Sequence, residues 1–552
     1  MLLFAAALSA RLTFWQVLEH GKLSALQASE QIFLDVQQPL RGQMFDDRGN
    51  TLATDVNQYR VLANPATVKN PWRTAKLLAP VIHGSASDID RLITTSDQII
   101  ELCPPVSVDQ GQSIRNLALP GIMLDPRVTR TYPRGSEAAQ VLGFTDDRLR
   151  GQAGLEQYYD HLLSGTAGLR SVLRDTAGNT VRIGSQSPVP SHNGADLYLS
   201  IDNTVQGLAE DELAKAVKQH SATGGSVVVM DPRTGYVLGM AGYPSFNPNH
   251  VGTATDAHAV YVNPVTQDTY EPGSTMKIVT MAAGLDSGVI TPQTTLFDNG
   301  AFRVGDTVIH NWNQSGFGLE NMTQVLQHSA NVGASFVAGR LGTQRFYTYL
   351  QRFRFGRPTG IDLPGEAAGD VPLPGDKTWS IVNLYTNSFG QGLAVTPMQL
   401  VSAVDAVANG GVMMKPQLVR RFVYDGRIVT HHPVSLGRVI SASTAHTLTN
   451  MLLHSAIEGE AQLALVKGYN IAAKTGTANV PGPGGTYLQN TTIASCIGWA
   501  PAFHPRLLIL VKLDHPRDTI WGSMAAAPVL HNLFRELFMY YHIPPNPNAL
   551  NK

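Results

Sequence analysis

The stretch TYEPGSTMKIVTMAAG, from Thr269 to Gly284, sets Ser274 and Lys277 three residues apart at the head of an apolar helical run. In the first turn of a helix, residues i and i+3 share a face, so the lysine amine can reach the serine hydroxyl. The chemistry offered is nucleophilic catalysis, with the amine taking the hydroxyl proton. A lysine at its ordinary pKa near ~10.4 is useless as a base at neutral pH. Burial and a neighbouring cation both disfavour its charged form. Bringing it to about 7 costs roughly 4 to 5 kcal/mol at ~1.36 kcal/mol per unit, an amount met at catalytic lysines. A second cation is therefore expected beside Lys277. Ser274-Thr275-Met276-Lys277 is the only Ser-x-x-Lys in the chain, although chance supplies about one in a chain of this length. In isolation, a helix-capping serine and a snorkelling lysine would be the favoured reading of the pair.

Two further motifs follow in order. Ser329-Ala330-Asn331 begins 55 residues after Ser274, between the helical patterns TQVLQH and VGASFVAGRLG. Lys474-Thr475-Gly476 occurs once, on a predicted strand that continues into Thr477. Ser245-Phe246-Asn247 also fits Ser-x-Asn, but it precedes Ser274 inside GYPSFNPN and reads as a loop. A Gly-x-Ser-x-Gly elbow, a His-Glu-x-x-His zinc helix and a phosphate-binding Gly-x-x-x-x-Gly-Lys are all missing from the sequence.

The elements that must hold these residues are legible in outline. The run TMKIVTMAAGL after Ser274 is apolar nearly all round, as in a helix buried inside a domain. LYLSID and then NTVQGLAEDELAKAVKQH read as a strand and a helix, and GGSVVVMDPRTGYVLGMAGYP as a hairpin turning at residues 231–235. NIAAKTGTANV, TIASCIGWAP and RLLILVKLDH give three more strands, with helical patterns filling the middle. Strands at both ends with helices between them predict an α+β domain, a mainly antiparallel sheet with helices on its faces. Upstream, residues 38–184 mix short strands, turns and helices, and SQSPVPSHNGAD, residues 185–196, reads as a linker. The expected division is 197–540 for the catalytic domain and 541–552 for a frayed tail.

At 552 residues the chain is long enough for two or three domains. With 15% charged residues and a net charge of -1, it carries no sign of a nucleic-acid partner. Cys103 and Cys496 lie far apart, which excludes a disulfide framework and metal-ligand spacing. Residues 1–20 open with an apolar run from Met1 to Ala10, broken by Arg11 and continued amphipathically through Phe14, Trp15, Val17 and Leu18. That is short for a span of about 20 apolar residues, and no basic segment precedes it as in a signal peptide. The reading is an uncleaved membrane anchor whose inner end lies upstream, with Arg11 and Trp15 at the outer interface.

The order Ser-x-x-Lys, Ser-x-Asn, Lys-Thr-Gly resembles the signature of penicillin-binding proteins and serine β-lactamases. The resemblance extends over most of the chain to a class B penicillin-binding protein, the D,D-transpeptidase that cross-links peptidoglycan. YEPGSTMK, FGQGLAVTPMQLVSAVDAVANGG, AAKTGTA and IGWAPAFHPRLLILVKLD resemble its transpeptidase domain. RGQMFDDRGNTLA, RTYPRGSEAAQVLGF and GQAGLEQYYDHLLSGTAG resemble its elongated N-terminal pedestal, of the dimerisation type. YEPGSTMK and the length look more like the septal, FtsI-type enzymes than the elongation type, and no sensor module is expected after the catalytic domain.

The resemblance implies a five-stranded sheet flanked by helices and a role for each motif residue. Ser274 would attack the carbonyl of the penultimate D-alanine, Lys277 would accept its proton, and Ser329 would relay a proton to the leaving amine. Asn331 would hydrogen-bond Lys277 and the substrate amide. Lys474 would be the second cation, Thr475 and Thr477 would bind the terminal carboxylate, and Gly476 would let the strand lie beside the substrate. The backbone N–H groups of Ser274 and Thr477 would form the oxyanion hole. No metal or cofactor is implied. Ala330 stands where many relatives carry Asp, at a position pointing away from the reaction.

The partners implied are stem peptides of the lipid-linked precursor and nascent glycan, β-lactam antibiotics, the membrane, and a multipass SEDS-type glycan polymerase with other divisome proteins. The location implied is the cytoplasmic membrane, with a single-pass anchor and the catalytic domain outside the cytoplasm. Competing readings are an elongation-type enzyme, a β-lactam-hydrolysing or sensing relative, and a divisome scaffold. Class A β-lactamases deacylate with a glutamate that activates water. Glu366, Glu458 and Glu460 are the glutamates between Asn331 and Lys474. None stands in a deacylating context, so a lasting acyl-enzyme is expected.

Overall fold

The computed structural model describes residues 2–22, 32–174, 180–183, 189–252, 260–482 and 486–550. Their internal contacts form two compact units, one within residues 1–43, 161–196 and 423–428, the other within residues 44–160, 197–422 and 429–552. This grouping cuts through the expected 38–184 pedestal and sets residues 44–160 in one unit with the catalytic residues.

In the first unit, helix α1 (Leu2–Thr13) runs into a π-helical stretch, Phe14–Leu18. Its apolar side chains face outward, Leu3 being 88% and Phe4 73% exposed. Among the described residues no helix is long and apolar enough to cross a membrane. Strands Ile32–Gln37, Gly168–Arg174 and Thr180–Ile183 form a three-stranded antiparallel sheet in that order. Of the expected linker, residues 185–188 lie outside the described residues. The rest is paired, because Val189 exchanges backbone hydrogen bonds with Leu169, and His192 with Thr166.

In the second unit, β1 (Thr51–Ala63) pairs antiparallel with β2 (Ile122–Thr131), from Thr54 opposite Thr131 to Ala63 opposite Ile122. Two helices, Pro71–Ile82 and Ala86–Thr95, bury Ala75, Leu78, Ile89 and Ile93 against Val61 and Ala63. The buried Arg130 guanidinium lies 2.9 Å from Asp55 and 2.7 Å from Glu156, so no buried charge there is unpaired.

The catalytic part of this unit begins with α2 (Asn203–Gln219), whose first turn is capped by Asp202 Oδ1 accepting from Thr204 N at 2.9 Å. Next come β3 (Gly224–Asp231) and β4 (Tyr236–Tyr243), a hairpin closed where Gly235 takes φ +75°. The helices that position the site are α3 (Lys277–Asp286), α4 (Met322–Gln327), α5 (Asn331–Arg352, interrupted at Gly342), α6 (Pro397–Ala408) and α7 (Ala442–Glu458), with a shorter helix at Ile381–Asn387. Three strands follow, β5 (Ala472–Pro481), β6 (Tyr487–Ala500) and β7 (Leu507–Asp514), and then α8 (Ala527–Tyr540). The sheet order is β4-β3-β7-β6-β5, antiparallel throughout, as predicted for this α+β domain.

The sequences of β3 and β7 are near-continuous apolar runs because helices cover both faces of the sheet. On one face, Val205 and Leu213 of α2 and Leu533, Phe534 and Leu537 of α8 share a core with Val227, Val229, Ile509 and Val511. On the other, α6 is buried at every position. The all-round apolar run of α3 is buried from Lys277 to Gly284.

The C-terminal segment differs from the frayed tail expected. Tyr469 Oη donates to Ile543 O at 2.9 Å, Asn546 N to Gly468 O at 2.9 Å and Leu550 N to Asn470 Oδ1 at 3.0 Å. Residues 551–552 lie outside the described residues.

Candidate active site

Ser274 sits in a single 3-10 turn, Gly273–Met276, that leads into α3. Two glycines make that turn possible. Gly273 has φ +57° and donates its N–H to Gly390 O at 3.1 Å, while Gly390 has φ +82°. A Cβ on Gly390 would fall 2.2 Å from Gly273 O, and one on Gly273 would fall 3.0 Å from Thr477 O. The Ser274 turn is thus clamped between the 387–392 loop and strand β5 by backbone packing that only glycine permits.

Helix α3 then buries Lys277 completely. Its Nζ lies 3.0 Å from Ser274 Oγ, 2.8 Å from Asn331 Oδ1 and 3.3 Å from Ser329 Oγ, and also donates to Ser329 O. Lys474 Nζ donates to Ser329 Oγ at 3.0 Å, so one hydroxyl joins the two lysines. Burial holds the Lys277 amine well below its ordinary pKa, and the neighbouring Lys474 charge pushes the same way. Lys474 is itself lowered by burial, against an opposing pull from Glu460. The second cation sought from chemistry alone is therefore adjacent.

The middle motif is held by residues that carried no sequence signal. Ser329 is buried with φ +55°, and Ala330 is buried at the N-cap of α5. Asn311 Oδ1 accepts from Asn331 N at 2.9 Å and Val332 N at 3.1 Å, capping α5, and Asn311 Nδ2 donates to Asp298 Oδ2 at 2.7 Å. Asn331 Nδ2 donates to His310 O at 3.0 Å, which turns its Oδ1 toward Lys277. The Ser-x-Asn at 245–247 lies in the loop after β4, where Asn247 Oδ1 accepts from Asn249 N at 3.0 Å.

Strand β5 is the outer strand of the sheet, so alternate backbone groups on its free edge have no strand partner. Ser274 and Thr477 both line a cleft of about 310 Å³, together with Asn331, Trp312, Trp521 and Glu460. Thr477 Oγ1 accepts from Gly522 N at 3.1 Å. Thr475 is buried, and its hydroxyl donates to Glu460 Oε2 at 3.0 Å. A Cβ on Gly476 would meet Ser495 Oγ at 2.4 Å and Thr275 Cγ2 at 3.0 Å. Packing against the Ser274 turn and β6 therefore already calls for glycine at this position.

Trp312 and Trp521 meet edge to face at 5.2 Å across the cleft wall. They come from loops distant in sequence, with no spacing that marks them. Of the three glutamates considered, Glu366 is spent on Thr359 N at 2.7 Å and Gly360 N at 2.9 Å. Glu460 stands in the cleft, 3.7 Å from Lys474 Nζ.

The geometry of a cleft serine beside a buried lysine in an α+β domain matches the comparisons with known proteins. Residues 225–535 match the penicillin binding protein transpeptidase domain, and residues 36–199 the penicillin-binding protein dimerisation domain. Stage V sporulation protein D of Bacillus subtilis is 34% identical, covering 93% of this chain and 80% of the relative. Peptidoglycan D,D-transpeptidase FtsI of Escherichia coli is 32% identical, covering 99% of this chain and 91% of the relative. The crystal structure of penicillin binding protein 3 from Mycobacterium tuberculosis, complexed with aztreonam, superposes with a TM-score of 0.73 at 28% identity, covering 94% of this chain and all of that one. The chain therefore belongs to the class B penicillin-binding proteins, with a dimerisation and a transpeptidase domain, and is a serine peptidoglycan D,D-transpeptidase.

Proposed function

We propose that this transpeptidase cross-links stem peptides during septal wall synthesis through an acyl-enzyme on Ser274. The observation that carries the reading is the buried Lys277 amine, 3.0 Å from Ser274 Oγ and 2.8 Å from Asn331 Oδ1. A neutral amine has two N–H groups and one lone pair. Asn331 Oδ1 and Ser329 O take the N–H groups, and the lone pair is left for the Ser274 proton. Ser274 Oγ adds to the carbonyl of the penultimate D-alanine while its proton passes to Lys277. The oxyanion is held by the N–H groups of Ser274 and Thr477, each worth about 3 kcal/mol in such holes. Collapse breaks the C–N bond, and the leaving D-alanine amine takes a proton through Ser329 Oγ, which bridges Lys277 and Lys474. The acceptor amine of a second stem peptide then attacks the ester and restores Ser274.

Thr477, beside Thr475 and Lys474, provides for the terminal carboxylate of the donor. Gly476 belongs to this site as the residue that lets β5 close on the Ser274 turn. Residues 38–184 serve as the pedestal, 185–196 as the connection, 197–540 as the transpeptidase domain and 541–552 as its C-terminal extension. Residues 1–20 serve as a single-pass anchor in the cytoplasmic membrane, with the catalytic domain outside and a SEDS-type polymerase and divisome proteins as partners. Near-complete coverage of FtsI and the YEPGSTMK segment support the septal assignment. The likeness to stage V sporulation protein D favours a sporulation-linked enzyme as the second reading.

The test is mass spectrometry after incubation with a labelled penicillin. The adduct should map to the peptide holding Ser274, persist for many minutes and vanish in Ser274→Ala. Labelling of that variant would remove Ser274 from the role. Release of penicilloate at about ten per second, the middle of the usual enzyme range, would make the protein a hydrolase. For the septal assignment, a fluorescent fusion should collect at the division site, whereas a uniform sidewall signal would overturn it.

A further inference from the structure

Two buried lysines sharing one hydroxyl make an electrostatic problem, and one carboxylate in the cleft addresses it. Helix α7 ends at Gly459, where a Cβ would fall 2.5 Å from both Gln327 O and Ser455 O. The chain is pinned there, and the buried Ala461 and Ala464 follow within a 3-10 turn and its approach. Between these fixed points Glu460 projects into the cleft. Its Oε2 accepts from Thr475 Oγ1 at 3.0 Å and lies 3.7 Å from Lys474 Nζ. Its side chain is 29% exposed, against 3% for Lys474. Among the described residues no other carboxylate lies within ion-pair distance of Lys474.

We infer that Glu460 is a positioning residue for the acylation of Ser274, fixing the Thr475 hydroxyl and the Lys474 ammonium and so setting the pH window of the reaction. The inference rests on the roles proposed above for Lys277 and Lys474. The charged and titratable groups facing this cluster are Lys277 on α3, His310 in the cleft wall, Glu320 before α4, Glu460 after α7, Lys474 on β5 and Cys496 on β6. Acylation requires Lys277 to have lost its proton and Lys474 to have kept its own. The first requirement sets the acid limb of the pH profile, and the second the alkaline limb. A negative Glu460 raises the proton affinity of both amines. Removing its charge therefore lowers both, and the whole bell slides toward acid. A residue that only supported the fold would lower the rate at every pH and leave the limbs in place.

The experiment is stopped-flow acylation of the full, detergent-solubilised chain by a fluorescent penicillin, measured across pH for the wild type, Glu460→Gln and Glu460→Asp. Both limbs of Glu460→Gln should move to lower pH, the alkaline limb, set by Lys474 at 3.7 Å, by about one unit. Glu460→Asp, which keeps the charge, should return the limbs to the wild-type side. Limbs that stay in place in Glu460→Gln, or that shift equally in both variants, overturn the inference. Failure of the underlying reading looks different: the wild type itself would lack an adduct on Ser274 or a bell-shaped profile.

Discussion

At the scale of single residues, the question is what keeps the Lys277 amine basic but unprotonated. Burial is the larger cause and the Lys474 charge the next, so removing Lys474 returns part of the shift. Lys474→Ala should raise the proton affinity of Lys277, so more alkali is needed to free the base. The acid limb of the acylation profile then moves upward, by about one unit on the Coulomb argument, opposite to the shift expected for Glu460→Gln. An acid limb that does not move would take Lys474 out of that role. The nucleophile and the base candidate could be found in the sequence because i and i+3 on one helical turn fix their separation locally. Asn311, Trp312, Glu460 and Trp521 could not. They reach the cleft from three separate segments, and only the closure of the sheet and helices brings them together.

At the scale of elements, the same division holds. The strands were visible as apolar runs between turns, and α3 as an apolar helix without a polar face. Their order in the sheet was not, because β7 inserts between β3 and β6 through pairings nearly three hundred residues apart in sequence, such as Val227 with Val511. Nor was the reason for Gly390, which reads as an ordinary loop glycine until Gly273 is seen packed on it. Gly390→Ala places a Cβ 2.2 Å from Gly273 O at φ +82°, so the backbone of one loop must move. Strain of this kind costs about 1 to 3 kcal/mol before the clash is counted. Because the atom struck belongs to the turn carrying Ser274, the acylation rate should fall more than tenfold, since a displacement of ~1 Å can cost about a hundredfold. Thermal unfolding and acylation measured on the same preparation check both. Normal acylation in Gly390→Ala would show that the clamp does not position the nucleophile.

At the scale of the whole molecule, the remaining question is what the outward-facing apolar helix at the start of the chain is for. Twelve residues at 1.5 Å each give α1 a length of about 18 Å, against a hydrocarbon core of about 30 Å. By itself it does not cross a bilayer. Yet Leu3, Phe4, Leu8 and Leu12 are all exposed, and burying side chains of this kind is worth about 1.5 to 3 kcal/mol each. The proposed anchor would place these side chains in lipid and remove that cost. It carries one basic residue, Arg11, in its last turn, followed by Phe14 and Trp15, which suits an end that meets the headgroups. The full chain should therefore sediment with membranes and be released by detergent but not by high salt, which weakens charge contacts and leaves apolar ones. A variant lacking residues 1–22 should appear in the soluble fraction and acylate with penicillin at the wild-type rate, because none of the residues lining the cleft comes from that segment. Protease added to spheroplasts should digest the catalytic domain of the full chain, since the peptidoglycan it cross-links lies outside the cytoplasm. A full chain that stays in the soluble fraction would rule out the anchor, and a catalytic domain protected inside intact spheroplasts would rule out the location.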